Sequence, residues 1–260
     1  MPQSVLLIGA LLACLAGAAI ALRMRAERRR LRHRLEIAAG ELQRLQTTFS
    51  HFTPSAVVEG IVASGRPTDA ERREVTILFA DLVAFTALSE ILSPEVLVAV
   101  LNDYFVRMSR VIDEHRGHVA KFIGDGMMAL FGALEPNPWQ ANDAVSAALA
   151  MQRALTAYNT ELAARGLPLL RVGVGIHSGP AIAGLIGSHA LLEFTVIGRT
   201  VNLAARVEHL TRVHQADVLI TAAVRAGLDP RFVLEELPAH PVRGVAEPVV
   251  TYAVRGVRDL

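Results

Sequence analysis

Hydrophobic positions along this chain change their pattern three times. Residues 4–22 form a run of 19 residues without a charge. As a helix at about 1.5 Å per residue, such a run roughly matches a ~30 Å hydrocarbon core. Residues 23–34 follow with seven arginines and one glutamate. Positive charge on that flank predicts a single membrane span with the remaining chain on the cytoplasmic side of the cell (inner) membrane. A cleaved signal peptide would carry its basic residues ahead of the apolar run, and Met1-Pro2-Gln3 has none. Lipoprotein processing at Cys14 is opposed by eight further apolar residues after it. Next comes a seam at Met24, Leu31, Leu35, Ala38, Leu42, Leu45, Phe49 and Phe52, stepping by three and four, with Arg28 in one seam position. It predicts a parallel two-stranded coiled coil; an amphipathic helix packed on its own domain is the alternative. A short helix from Phe52, with Pro54 near its first turn, and a Gly/Pro linker at residues 64–69 complete this region.

Beyond residue 70 the apolar runs shorten and alternate with helical spacing. A strand at residues 74–80 is apolar on nearly both faces, as a covered central strand should be. Ser93-Pro94-Glu95 starts a helix whose apolar face runs through Leu97, Val100, Leu101, Tyr104, Phe105, Met108, Val111 and Ile112. Two apolar runs, residues 118–123 and 127–131, flank Gly124-Asp125-Gly126 and predict a tight hairpin. A helix over 141–164 and strands at 171–177 and 181–185 follow. The order strand–helix–strand–strand–helix–strand predicts an α/β (α+β) fold of the ferredoxin-like βαββαβ kind, one sheet against covering helices. Three segments result: the span at 1–23, the juxtamembrane coiled coil and linker helix at 24–70, and a main domain at 71–260.

Composition narrows the partners. A chain of 260 residues holds one sizeable domain plus an appendage, and 52% hydrophobic residues exclude disorder. The net charge of +1 gives no bulk attraction for nucleic acid. Cys14 is the only cysteine, so neither an intramolecular disulfide nor a thiolate cluster can form. Nine histidines show no metal-ligand spacing on a helix, and His177 after its strand reads as a packed residue. Lys121 is the only lysine among 26 basic residues, in Lys121-Phe-Ile-Gly-Asp125-Gly. An ammonium and a guanidinium are not equivalent where a compact directional donor is needed.

Two constellations carry candidate chemistry. Asp81 ends the first strand and Asp125 sits at the hairpin, and a ferredoxin-like sheet places those strands side by side. Carboxylates a few Å apart share a proton or bind a cation, and Mg²⁺ held by carboxylates and substrate phosphates is the usual solution. Taken singly, each aspartate is also ordinary turn chemistry. The turn after Asp81, through Phe85 and Thr86, enters a short helix whose N–H groups can receive phosphate. In the segment from Glu193 to Arg206 a short strand ends at Gly198 and a helix carries Asn202 and Arg206 one turn apart. An amide and a guanidinium on one face can orient a ribose and stabilise phosphate, or form a plain polar stripe.

Four segments in this order resemble the class III nucleotide cyclase catalytic domain: residues 75–86, 121–126, 175–179 and 194–206. The likeness runs from about Arg73 to Arg255, with an upstream echo at residues 52–58. It implies that Asp81 and Asp125 bind two metal ions per active site, Mg²⁺ or Mn²⁺, with the Leu82 carbonyl as a further ligand. It implies that Lys121 reads N1 of adenine and that Thr195 reads the 6-amino group; many members carry Asp there, and Thr is typical of one bacterial subgroup. Asn202 would orient the ribose, Arg206 would stabilise the transition state, and Arg243 would take the place of a triphosphate-binding lysine. The family's sites are shared between two domains, so the resemblance implies a homodimer with two equivalent sites. The activity implied is conversion of ATP to 3′,5′-cyclic AMP and pyrophosphate. Guanine readers of the family carry Glu and Cys where this chain has Lys121 and Thr195. A non-catalytic nucleotide-binding membrane regulator would lack the intact set. Two departures stand out: Val83-Ala84 replaces a basic residue and glycine, and Pro180 stands where some members place an arginine.

Overall fold

The computed structural model describes residues 70–188 and 191–258, together with helical positions between residues 23 and 41. The chain divides into two units, Met1–Val58 and Glu59–Leu260. In the first, the described positions are helical, and the seam residues Met24 and Leu35 are 52% and 69% exposed. The expected span at 4–22, the short helix from Phe52 and the linker at 64–69 lie outside the described residues. No described helix is long and apolar enough to cross a membrane.

The described part of the second unit begins with β1 (Glu71–Leu82), α1 (Phe85–Ile91), α2 (Pro94–Glu114), β2 (His118–Ile123), β3 (Gly126–Phe131) and α3 (Gln140–Ala164). It continues with β4 (Val172–Ser188), β5 (Leu191–Ile197), α4 (Arg199–His214), β6 (Val218–Thr221), α5 (Ala222–Ala226), β7 (Phe232–Glu236) and β8 (Thr251–Val257). The strands form one sheet in the order β2-β3-β1-β4-β6-β8-β7, with β5 added to β4. Its first four strands with α2 and α3 are the expected βαββαβ core. The β4–β6 pair is parallel; the other described pairs are antiparallel.

Both faces of β1 are covered, which explains its unbroken apolar run. Leu78 and Ala80 pack with Tyr104, Met108 and Ile112 of α2 and with Ala144, Ala148 and Met151 of α3. The opposite sheet face receives α4. There Val207 and Leu210 pack with Leu219 and Ala253. The alternating glycines of β4 set how close α4 lies. A Cβ at Gly175 would strike the backbone of Glu208, and one at Gly173 would strike Thr211 Oγ1. Helix and strand backbones therefore touch without intervening side chains.

Two strand boundaries differ from the sequence expectation. β1 begins at Glu71 and runs through Leu82, so Asp81 lies inside the strand's last two residues. The strands expected at 171–177 and 181–185 are one continuous strand of 17 residues. Gly179-Pro180 suggests a break, but β1 pairs along this whole stretch, including Glu74 with Pro180. Pro180 falls between the residues paired with β6 (174–176) and those paired with β5 (182–188), where the second edge of β4 changes partner. A residue without an N–H is tolerated at such a gap.

Candidate active site

The β2–β3 hairpin turns through Gly124 and Asp125, enclosed by the Ile123–Gly126 pair, with Gly124 at φ 63. A positive φ at the first loop residue is where glycine is free of strain. The turn sets Asp125 beside Asp81: a Cβ at Gly126 would lie 2.8 Å from Asp81 Oδ1. Burial raises the Asp125 carboxyl above its ordinary range, and the Asp81 charge and a hydrogen bond to Asp81 raise it further. Two convergent carboxylates, one inclined to keep a proton, together with the Leu82 carbonyl make an all-oxygen donor set. That set fits a hard divalent cation. Among the described residues no three His, Cys, Asp or Glu side chains gather as a full metal cage.

A cation of the chain's own reaches this cradle. Arg212 on α4 donates from Nη2 to Asp81 Oδ2 at 2.6 Å and to the Leu82 carbonyl at 3.4 Å. Its Nη1 donates to Glu208 Oε1 at 2.6 Å. Glu208 is buried against β4, and burial pushes its carboxyl up to about 7 against the pull of Arg212. Tyr104 buries its hydroxyl without a hydrogen-bond partner among the described residues. Burial first, then the charges of Asp81, Asp125 and Glu208, keep that phenol protonated. Phe85 and Thr86 open α1, half-buried and exposed respectively, after Ala84 in the left-handed region at φ 59.

Lys121 and Thr195 form a second group. Lys121 Nζ donates to Glu193 Oε2 at 2.9 Å, which fixes where the ammonium points. Glu193 and Thr195 are two apart on β5 and so share a face of the strand. Thr195 is buried. The His118 and Phe194 rings meet edge to face at 6.5 Å, which brings β5 alongside β2.

Asn202 and Arg206 line a third feature, a cavity of about 610 Å³ together with Arg72, His177, Arg199 and Gly244. Thr200 Oγ1 donates to the Pro180 carbonyl at 2.6 Å and ties the start of α4 to β4. Gly244 lies against the Arg206 guanidinium. Arg243 is exposed in the same loop and is not among the residues lining the cavity. His177 hydrogen-bonds Thr221 Oγ1 at 2.8 Å, and burial pushes its imidazole down to about 4, so it is a packed neutral residue.

A single chain thus brings Asp81 to Asp125 and Lys121 to the Thr195 strand, and puts Asn202 with Arg206. The cavity lining contains none of Asp81, Asp125, Lys121 or Thr195. Sequence reasoning missed Glu193, Glu208 and Arg212, and also Arg72 and Arg199 in the cavity wall. Two signals were available. Glu193 is one strand period from Thr195, and Glu208-Arg212 repeats the one-turn spacing of Asn202-Arg206.

A model of the adenylate and guanylate cyclase catalytic domain matches residues 68–256. An adenylate cyclase of Anabaena cylindrica is 36% identical over 198 residues, which cover 73% of this chain and 38% of that protein. Adenylate cyclase 1 of Rhizobium meliloti is 35% identical over 212 residues, 81% of this chain and 32% of that one. The chain spans well under half the length of either relative. Among solved structures, the guanylyl cyclase Cya2 superposes with a TM-score of 0.69 at 35% identity, covering 74% of this chain and 96% of that one. The adenylyl cyclase CyaB from P. aeruginosa gives 0.69 at 29% identity, covering 74% and 98%.

Proposed function

Since the chain belongs to the adenylate and guanylate cyclase catalytic domain family, we propose that it is an adenylate cyclase, converting ATP to 3′,5′-cyclic AMP and pyrophosphate at two sites shared across a homodimer. The observation that carries this reading is the convergence of Asp81 and Asp125 into an oxygen-only cradle. In the reaction the ribose 3′-oxygen bonds to the α-phosphorus, the bond to the β-phosphate bridging oxygen breaks, and the hydroxyl proton is lost. Asp81, Asp125 and the Leu82 carbonyl would hold two divalent ions, Mg²⁺ or Mn²⁺, which supply Lewis-acid activation of the hydroxyl and charge neutralisation of the phosphates. Asn202 orients the ribose and Arg206 meets the charge that develops on the α-phosphate. Arg243 and the N–H groups at Phe85 and Thr86 receive the polyphosphate.

Similarity alone does not choose the base, because both guanylyl and adenylyl cyclases are among the similar structures. The choice of ATP rests on Lys121, held by Glu193 with its remaining protons available to an acceptor such as adenine N1, and on the Thr195 hydroxyl for the 6-amino group. The separation of the cavity from the aspartate cradle supports sites completed by a second protomer. Exposed Phe122, Ile123, Leu192 and Ile197 on β2 and β5 offer apolar surface for that contact. The charge-free run at 4–22 and the arginines behind it support a single-pass protein of the inner membrane with a cytoplasmic catalytic domain. Exposed Met24 and Leu35 suit a paired helical linker.

The test is turnover of ATP and GTP side by side by the purified full chain, with Mg²⁺ and with Mn²⁺. Cyclic AMP is the expected product, and Asp81→Ala should abolish it. A preference for GTP would make the protein a guanylate cyclase. Activity surviving Asp81→Ala would sink the metal assignment. ATP binding without turnover would make it a regulator.

A further inference from the structure

The geometry points to Arg212 as a resident cation of the Asp81 cradle, one that a divalent ion has to displace before it can bind. This rests on the reading of Asp81 and Leu82 as metal ligands. The guanidinium occupies both. It donates to Asp81 Oδ2 and to the Leu82 carbonyl from the same nitrogen, Nη2. Those oxygens are the ones a metal ion would need, and their lone pairs are directed at an N–H instead. A fixed positive charge a few Å away also repels a doubly charged ion.

The contact is built by the fold. Gly173 and Gly175 let α4 lie directly on β4, so that the last turns of the helix come alongside the end of β1. Glu208, only 4% exposed, then holds Arg212 from the preceding turn through Nη1. The two nitrogens of the fork thus have separate partners, one buried and one at the cradle.

That division makes displacement feasible. Arg212 is 34% exposed and Asp81 is 30% exposed, so the contact is open to water. When Nη2 leaves Asp81, Nη1 can stay on Glu208, and the buried carboxylate keeps its partner. Rotation about the arginine side-chain bonds suffices, without movement of α4. With the cation absent, Arg212 offsets the repulsion between Asp81 and Asp125 and keeps the cradle in shape. With the cation arriving, it competes. Arg212 is therefore a positioning residue that sets the metal concentration at which the cradle fills.

The test is direct Mn²⁺ binding to the purified full chain without nucleotide, read from loss of the electron-paramagnetic signal of free Mn²⁺. Arg212→Gln should bind Mn²⁺ more tightly, by about fivefold, the size expected for removing a partly exposed ion pair. The metal concentration for half-maximal turnover should fall in parallel. A merely structural role for Arg212 predicts the opposite, weaker binding. Arg212→Lys, with a point charge in place of the fork, should lie between the two. If Arg212→Gln fails to fold because Glu208 is left unpaired, the double change Arg212→Gln/Glu208→Gln replaces the ion pair by an amide pair, and the same tightening is expected.

Equal or weaker Mn²⁺ binding in these variants, with binding abolished by Asp81→Asn in every background, would overturn the inference while leaving the metal site intact. Binding that ignores Asp81→Asn, or that is absent from wild type and variants alike, would overturn the metal assignment and the inference with it.

Discussion

Ala84 has φ 59, a left-handed conformation at which a Cβ costs about 1–2 kcal/mol. Glycine avoids that cost, less its own loss of freedom on folding. Ala84→Gly should raise stability by up to about 1 kcal/mol, readable as a higher denaturant midpoint. A lower midpoint would mean that packing of the methyl group outweighs the backbone. Two buried histidines make stability sensitive to acid. Burial pushes His177 and His118 down to about 4 from 6.5, so the folded state holds them neutral. Stability from such groups is full above 6.5 and is lost as the pH falls from 6.5 towards 4, where the unfolded chain takes protons that the folded one refuses. Each contributes up to about 3 kcal/mol to that slope. Glu208, raised to about 7 by burial, works the other way, since its folded state gains protons from pH 7 down to 4.5. Net acid destabilisation below pH 6.5 is expected from denaturation curves, and His177→Gln should flatten it. Lys121, Asp81, Asp125, Asn202 and Arg206 were legible as candidates because each stands in a compact motif. Glu193 and Arg212 carry only a spacing signal, and their roles show only once the folded chain brings in partners 72 and 131 residues away.

The glycines of β4 are a more exacting feature than any side chain on α4. Gly175→Ala would drive a methyl group into the Glu208 backbone. Overpacking of this kind costs typically about 1–3 kcal/mol, and the upper end is expected because backbone on both sides limits relief. Turnover should fall with it, since the displaced helix carries Asn202 and Arg206. An unchanged denaturation midpoint would show that α4 can lift without loss. The βαββαβ core was readable because its elements are sequential and its periods are clean. The fused β4 was not, since Gly179-Pro180 is a local break signal that pairing with β1 overrides across the strand. The tail after α4 was also missed. β6 has four residues with α5 directly behind it, and β8 finds its place by pairing with β6 and β7 across a loop that contains Pro238 and Pro241.

The proposed homodimer with shared sites makes a quantitative prediction. Asp81→Ala and Arg206→Ala damage opposite halves of a site, so each variant alone should be inactive. Co-expressed in equal amounts, half of the dimers are mixed, and each mixed dimer has one intact site of two. Activity should recover to about a quarter of wild type. No recovery despite mixed dimers would place both residues in one protomer's site. The same arrangement gives α4 a second meaning. Asn202 and Arg212 are ten residues apart on one unbroken helix, about 15 Å along its axis. In the proposed dimer its first turns serve one site, and its last turn grips the aspartate of the other. One rigid body then joins ribose contact at the first to cation entry at the second, and any thermodynamic linkage it carries is reciprocal.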